Sequence, residues 1–119
     1  MLSKEDSLEN LRQRINRFIG ERDWAQFHTP KNLSMAMIVE AAELVEHFQW
    51  DTDSESHQLS DEKREAVSHE LADTFVYLIR IAEVLGIDLI DAANKKIALN
   101  ILKYPVEKAK GNHVKYTQY

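Results

Sequence analysis

Four acidic residues stand in two pairs, and each pair has a spacing of three residues. The first pair is Glu40 and Glu43 in IVEAAELVEHFQW, and the second is Glu70 and Asp73 in HELADTFVYLI. Residues three or four apart lie on one face of a helix, so the two acids of a pair point the same way. Both pairs fall among apolar neighbours, where an isolated carboxylate is unstable and where two carboxylates repel each other. The pattern therefore indicates that a cation lies among them.

The surroundings of the two pairs decide between two interpretations. A single E-x-x-E or E-x-x-D on a helix is most often part of a solvated surface. Two such pairs on apolar faces of neighbouring helices favour a shared metal site made of oxygen ligands. Mg²⁺ prefers such ligands and commonly completes its shell with water and substrate phosphates, and Mn²⁺ is an alternative ion. Spacing alone leaves both interpretations open.

Other kinds of metal site do not fit this sequence. Di-iron proteins built on helix bundles use a Glu three residues before a His. None of the five histidines has an acid at that position. The chain also contains no cysteine, which excludes thiolate ligands and disulfides.

Apolar periodicity predicts four helices that would position the acids. They span about residues 4–22, from Pro30 or Asn32 to about Phe48, from a cap at Ser60 to a stop at Gly86, and from a cap at Asp88 to Pro105. The segment RDWAQFHTPKN is typical of a loop, and residues 105–119 form a less regular tail. Four helices joined by short connections predict an all-α fold, a four-helix bundle forming one domain over residues 1–119.

Composition limits the partners and the location. The net charge of −5 argues against a nucleic acid as the main partner. No apolar run approaches the roughly 20 residues that a membrane span needs. The start, MLSKEDSLEN, is polar and acidic, so we expect no secretory signal and a cytoplasmic protein. Apolar residues 35–39 cover most of the circumference of the second helix, which predicts burial in a homo-oligomer interface.

The acidic pairs and their flanking segments resemble the MazG-like nucleoside triphosphate pyrophosphohydrolases. The segments ERDWAQFHTPKNL, ELVEHFQW, ELADTFVYLI, NILKYP and KYT are similar to the dCTP pyrophosphatase branch, in family order over about residues 10–117. The resemblance implies an all-α enzyme that hydrolyses a (deoxy)nucleoside triphosphate, with dCTP or a related deoxynucleotide preferred, to the monophosphate and pyrophosphate in nucleotide housecleaning. It also implies that Mg²⁺ is held by Glu40, Glu43, Glu70 and Asp73, in a dimer or a dimer of dimers whose sites are shared between chains.

The resemblance also implies which residues contact the substrate. Candidates for the base and phosphates are Trp24, His28, Trp50, Tyr77, Lys96 and Asn100. An aromatic face stacks on a base for about 1–3 kcal/mol, although a Trp at a helix end is more often part of a core. Arg80 is a weaker candidate for phosphate binding. Ile15 stands where vertebrate-type relatives have a histidine, which puts a strict preference for cytosine in doubt.

Two non-enzymatic alternatives remain. The chain could be a helical interaction module whose acids bind a partner protein, or a metal-binding regulatory protein without turnover. The presence of all four acids together with Lys96 and Asn100 favours catalysis, because a scaffold needs none of them.

Overall fold

The computed structural model describes residues 7–119, and helices make up most of this part of the chain. The α-helices are α1 (Leu8–Glu21), α2 (Pro30–Glu46), α3 (Asp61–Leu85), α4 (Leu89–Lys103) and α5 (Val106–Ala109). Single 3₁₀ turns lie at Ala25–Phe27, Glu55–His57 and Tyr116–Gln118. No strand occurs between residues 7 and 119, so the all-α prediction is confirmed. The part of the first predicted helix before residue 7 lies outside the described residues.

The first four helices begin where a side chain caps the backbone. At each start, a side-chain oxygen accepts a hydrogen bond from the backbone N–H three residues later, which satisfies a donor that has no partner inside the helix. The capping residues are Ser7, Thr29, Ser60 and Asp88. The predicted caps at Ser60 and Asp88 are thus confirmed, and α2 starts at the predicted Pro30, directly after its cap.

The helix ends also follow from local sequence. Gly86 has a φ of 66°, a left-handed conformation that suits glycine, and it stops α3 as predicted. α4 ends at Lys103, two residues before Pro105, and Pro105 then leads into the short helix α5. α2 ends at Glu46, slightly before the predicted Phe48, because the chain continues there in tighter turns.

The chain divides into two compact units, one ending at Gly86 and one spanning Ile87–Tyr119. In the first unit, α3 packs along α2 and also contacts α1. Its buried apolar side chains are Ile15 and Ile19 of α1, Leu33 of α2, and Val67, Ile79 and Ala82 of α3. This packing fixes the faces of α2 and α3 that carry the acids. A single bundle of all four long helices stays a prediction.

The second unit is held partly by aromatic contacts at its C-terminal end. The ring of Tyr104, just after α4, meets Tyr116 edge to face at 5.8 Å and Tyr119 at 6.4 Å. The Lys103 ammonium lies 4.1 Å from the centre of the Tyr116 ring. The tail predicted to be less regular is therefore tied to the end of α4 through side-chain contacts.

One face of α2 leaves a row of large apolar side chains exposed in the single chain. Met35, Ile38, Val39 and Val45 are 54–62% exposed. Their spacing places them on one side of the helix, which borders the face that carries Glu43. We call these four residues the α2 apolar stripe. It matches the surface that the sequence predicts for a subunit interface, and the oligomer itself stays a prediction.

Within residues 7–119, none of the helices combines the length and the apolar character that crossing a bilayer would require.

Candidate metal and nucleotide site

Three of the four predicted acids meet where α2 packs on α3. One carboxylate oxygen each from Glu40, Glu43 and Glu70 lies within 4.8 Å of the other two, and all three residues are half-buried. The three-residue spacing of the first pair turns both of its acids toward α3. Ligand oxygens about 2.0–2.6 Å from one divalent ion are up to about 5 Å apart, so these three oxygens could hold the same ion.

The electrostatics of the cluster favour a bound cation. Burial raises the pKa of Glu40 from 4.5 to about 7, and hydrogen bonding to Glu43 and Glu70 together with the charges of Glu43 and Asp73 adds to the effect. Without a cation, Glu40 is therefore partly protonated near neutral pH, which lowers the repulsion among the acids.

Glu70 gives a second indication that the cluster suits a cation. Among the described residues, its Oε2 atom is buried and has no hydrogen-bond partner. Its Oε1 atom lies 3.9 Å from Nε2 of His47, too far for a hydrogen bond. A buried acceptor without a donor costs about 1–3 kcal/mol, and more when it is charged. A divalent cation would satisfy this oxygen, so the residues present fit a metal ion.

A cavity of about 540 Å³ lies against α1 and α3, and Asp73 forms part of its wall. Because the charge of Asp73 also raises the pKa of Glu40, this wall adjoins the acid cluster. Trp24, His28 and Tyr77 line the same cavity together with the apolar side chains of α1. Cavities of 300–1,000 Å³ with mainly apolar walls and a few polar groups are typical of small-molecule sites. The cavity thus has the size and lining that suit a nucleobase.

Arg80 also lines the cavity, but its guanidinium already donates hydrogen bonds to other side chains. It is only 6% exposed, its Nε donates a hydrogen bond to Nδ1 of His28 at 3.1 Å, and one terminal nitrogen donates to Oδ1 of Asn16 at 3.0 Å. Asn16 in turn donates to Glu83 at 3.1 Å, and Arg12 binds both carboxylate oxygens of Glu83 at 2.8 and 3.0 Å. These contacts indicate that Arg80 holds His28 in place. They do not favour the phosphate-binding role considered for Arg80.

This polar network joins α1, α3 and the loop between α1 and α2, and the sequence reasoning did not find it. A weak signal exists, since Arg12 and Asn16 are four residues apart on α1 while Arg80 and Glu83 are three apart on α3. Only the packing of the two helices shows that these polar positions face each other.

Three other residues were predicted to contact the substrate. Trp50 follows α2, is 87% exposed and is not one of the described residues that line the cavity. Lys96 and Asn100 lie on α4, in the second compact unit. Their roles stay predictions.

Comparison with known proteins gives consistent results. The MazG-like family matches residues 35–118. The chain is 40% identical to dCTP pyrophosphatase 1 of Homo sapiens, over 98% of the chain and 69% of that protein, and 39% identical to its Mus musculus counterpart, over 97% and 69%. A crystal structure of a pyrophosphatase from Archaeoglobus fulgidus is 33% identical, superposes with a TM-score of 0.80, and covers 88% of this chain and 98% of its own. With its acid cluster and all-helical fold, the chain belongs to the MazG-like family.

Proposed function

We propose that this chain is a metal-dependent nucleoside triphosphate pyrophosphohydrolase. It converts a (deoxy)nucleoside triphosphate and water into the monophosphate and pyrophosphate, with dCTP or a related deoxynucleotide preferred. The observation that carries the proposal is the cluster of Glu40, Glu43 and Glu70, with its buried unpartnered oxygen, beside a cavity large enough to admit a nucleobase. The names of the two mammalian relatives support the choice of substrate.

The four acids Glu40, Glu43, Glu70 and Asp73 hold the metal, with Mg²⁺ as the ion and Mn²⁺ as its substitute. Carboxylates alone would repel a triphosphate, which carries close to four negative charges. A bound divalent ion supplies the positive charge that offsets this repulsion and stabilises charge on the phosphate oxygens. One carboxylate of the set orients the attacking water or accepts its proton.

The cavity residues bind the nucleoside. Trp24 offers an aromatic face for the base, and its ring already meets Phe18 edge to face at 5.6 Å, which restricts its movement. Tyr77 lies one helical turn after Asp73 and also lines the cavity, which supports a contact between its side chain and the nucleoside. Lys96 and Asn100 contact the phosphates.

The active form is a homodimer or a dimer of dimers. Two observations support this assembly. The α2 apolar stripe is exposed in the single chain, and an exposed row of four large apolar residues on one helix is typical of an interface. Trp50 is 87% exposed, and we assign it to the site of a neighbouring subunit, where it would contact the base. The enzyme then acts on the nucleotide pool of the cytoplasm.

The test is a product assay with purified protein, Mg²⁺ and a panel of canonical and modified deoxynucleoside triphosphates. We expect pyrophosphate and the monophosphate in equal amounts, and no product after chelation of the metal. Release of orthophosphate would indicate another class of hydrolase. Failure to turn over any nucleotide would favour a non-catalytic interaction or regulatory module.

A further inference from the structure

His28 is held in one orientation by a group that can only donate hydrogen bonds. Nε of Arg80 lies 3.1 Å from Nδ1 of His28. A guanidinium has five N–H donors and no acceptor, so Nδ1 must be the acceptor in this contact. A neutral imidazole that accepts at Nδ1 carries its proton on Nε2. The contact therefore specifies the tautomer of His28.

Arg80 is itself kept in place. It is 6% exposed, and it donates to Oδ1 of Asn16, whose amide nitrogen donates to Glu83. An amide between a cation and an anion must turn its oxygen to the cation and its nitrogen to the anion, so the orientation of Asn16 is also determined. Arg12 closes the network through both oxygens of Glu83. The donor that faces His28 is thus fixed from two helices.

We propose that Arg80 is a positioning residue that fixes His28 as an Nε2–H donor in the cavity, where His28 binds a hydrogen-bond acceptor on the nucleobase. This inference rests on the proposed function for the identity of the ligand. The tautomer and its dependence on Arg80 do not rest on it.

The lining of the cavity points to the base. Beside His28 the wall includes Ile15, Ile19 and Trp24, side chains that suit a flat apolar ring. The Nε2–H donor of His28 beside such groups favours a base that places a carbonyl oxygen or an unprotonated ring nitrogen opposite it. Burial lowers the pKa of His28, and the charge of Arg80 lowers it further, and both effects favour the neutral imidazole.

The tautomer can be read by long-range ¹H–¹⁵N NMR on the full-length protein, with His28→Phe used to assign the His28 signals. We expect a single Nε2–H tautomer in the wild type and in Arg17→Met, which removes a charge from an exposed position of α1 outside the network. Arg80→Met should convert the signals to an exchanging mixture of tautomers. An Nδ1–H form or a mixture in the wild type would overturn the proposal without any variant. So would a tautomer that does not respond to loss of Arg80.

Kinetics test the contact with the base. Loss of one neutral hydrogen bond should raise KM for the preferred nucleotide about 3- to 10-fold in His28→Phe, with kcat little changed. Arg80→Met should raise KM similarly, and the double variant no further than the larger single effect, because both remove the same interaction. Arg17→Met should leave both parameters unchanged. Additive effects, or a fall in kcat alone, would contradict the positioning role.

A substrate without a base separates contact with the base from contact with the phosphates. With an abasic deoxyribose triphosphate, His28→Phe should have the same KM as the wild type. If His28→Phe raises KM for this substrate as much as for the nucleotide, the assignment to the base is overturned. If the wild type hydrolyses no nucleotide, the proposed function fails, while the NMR result still decides whether Arg80 fixes His28.

Discussion

One carboxylate oxygen of Glu40 on α2 lies within 4.8 Å of one from Glu70 on α3, although thirty residues separate them in sequence. Packing of α2 on α3 holds the backbones of both acids in place. Burial, together with hydrogen bonds to the neighbouring acids, raises the pKa of Glu40, and Oε2 of Glu70 is buried without a hydrogen-bond partner. The metal-free cluster is therefore electrostatically unfavourable, and a cation would stabilise it.

Neutral isosteres of the acids should abolish turnover. We expect Glu43→Gln and Asp73→Asn to lower kcat/KM by more than about 100-fold, since even groups that only support metal ligands act on a scale of 10- to 100-fold. Far-UV circular dichroism should remain unchanged. Glu46→Gln is a matched control, because it makes the same change at an exposed position of α2. If either acid variant keeps full activity, that acid is not an essential ligand.

The effect of Mg²⁺ on the melting temperature should depend on whether Glu40 is present. Above pH 7, where Glu40 is ionised, Glu40→Gln should raise the Tm of the chelated protein, because it removes one of the repelling carboxylates. For a chain of this size, 1 kcal/mol corresponds to about 3–6 °C. Saturating Mg²⁺ should raise the Tm of the wild type, since a ligand stabilises the state that binds it, and should raise that of Glu40→Gln much less. Equal shifts in both proteins would show that the ion binds elsewhere.

The pH dependence of stability follows from the raised pKa of Glu40. Its pKa is about 7 in the folded state and 4.5 when unperturbed, so between these values the folded chain binds more protons than the unfolded chain. The free energy of unfolding contributed by Glu40 is therefore full below pH 4.5, falls as pH rises, and levels off above about pH 7. The free energy of unfolding of both proteins can be measured with a denaturant, in the presence of a chelator, from pH 4 to 8. The wild-type value minus the Glu40→Gln value should fall as pH rises. A difference that rises with pH would contradict the raised pKa of Glu40.

What the sequence could predict depends on how far apart in the chain the interacting residues are. The caps at Ser60 and Asp88 and the stop at Gly86 are local, and each is confirmed. The acid cluster was also predictable, because the three-residue spacing fixes a face within each helix. The contact of Arg80 with His28 was not, since it depends on the placement of a loop against α3, which no periodicity encodes.

Trp50 illustrates the other limit. Its resemblance to a base-pocket position is a statement about the family, whereas the single chain leaves it 87% exposed and outside the cavity wall. The sequence cannot state which subunit a residue serves, because that depends on an interface between chains.

Replacement of Trp50 should affect substrate binding and not folding. An 87% exposed side chain contributes little to the stability of its own chain, so Trp50→Ala should leave the monomer's unfolding unchanged. KM should rise by about 5- to 100-fold, the range expected for one lost base–aromatic stack of 1–3 kcal/mol. Mixing Trp50→Ala with an inactive Glu43→Gln protein should restore some activity if the site is shared. No restoration in mixed oligomers would place Trp50 outside a shared site.

A charge in the α2 apolar stripe should weaken the oligomer. Ile38 is 62% exposed in the single chain, so Ile38→Glu should leave the helical content intact. Burying an unpaired carboxylate in an interface is costly, so the mass measured by light scattering should fall toward 13.8 kDa. Lys31→Glu, an exposed change near the start of α2, is the control. An unchanged mass in Ile38→Glu would exclude this stripe from the interface.

Anomalous diffraction from crystals grown with Mn²⁺ and a non-hydrolysable deoxynucleotide analogue tests the central claim most directly. The account predicts a Mn²⁺ peak among the carboxylates of Glu40, Glu43, Glu70 and Asp73, in contact with the phosphates. A nucleotide bound with no anomalous peak among these four acids would contradict it.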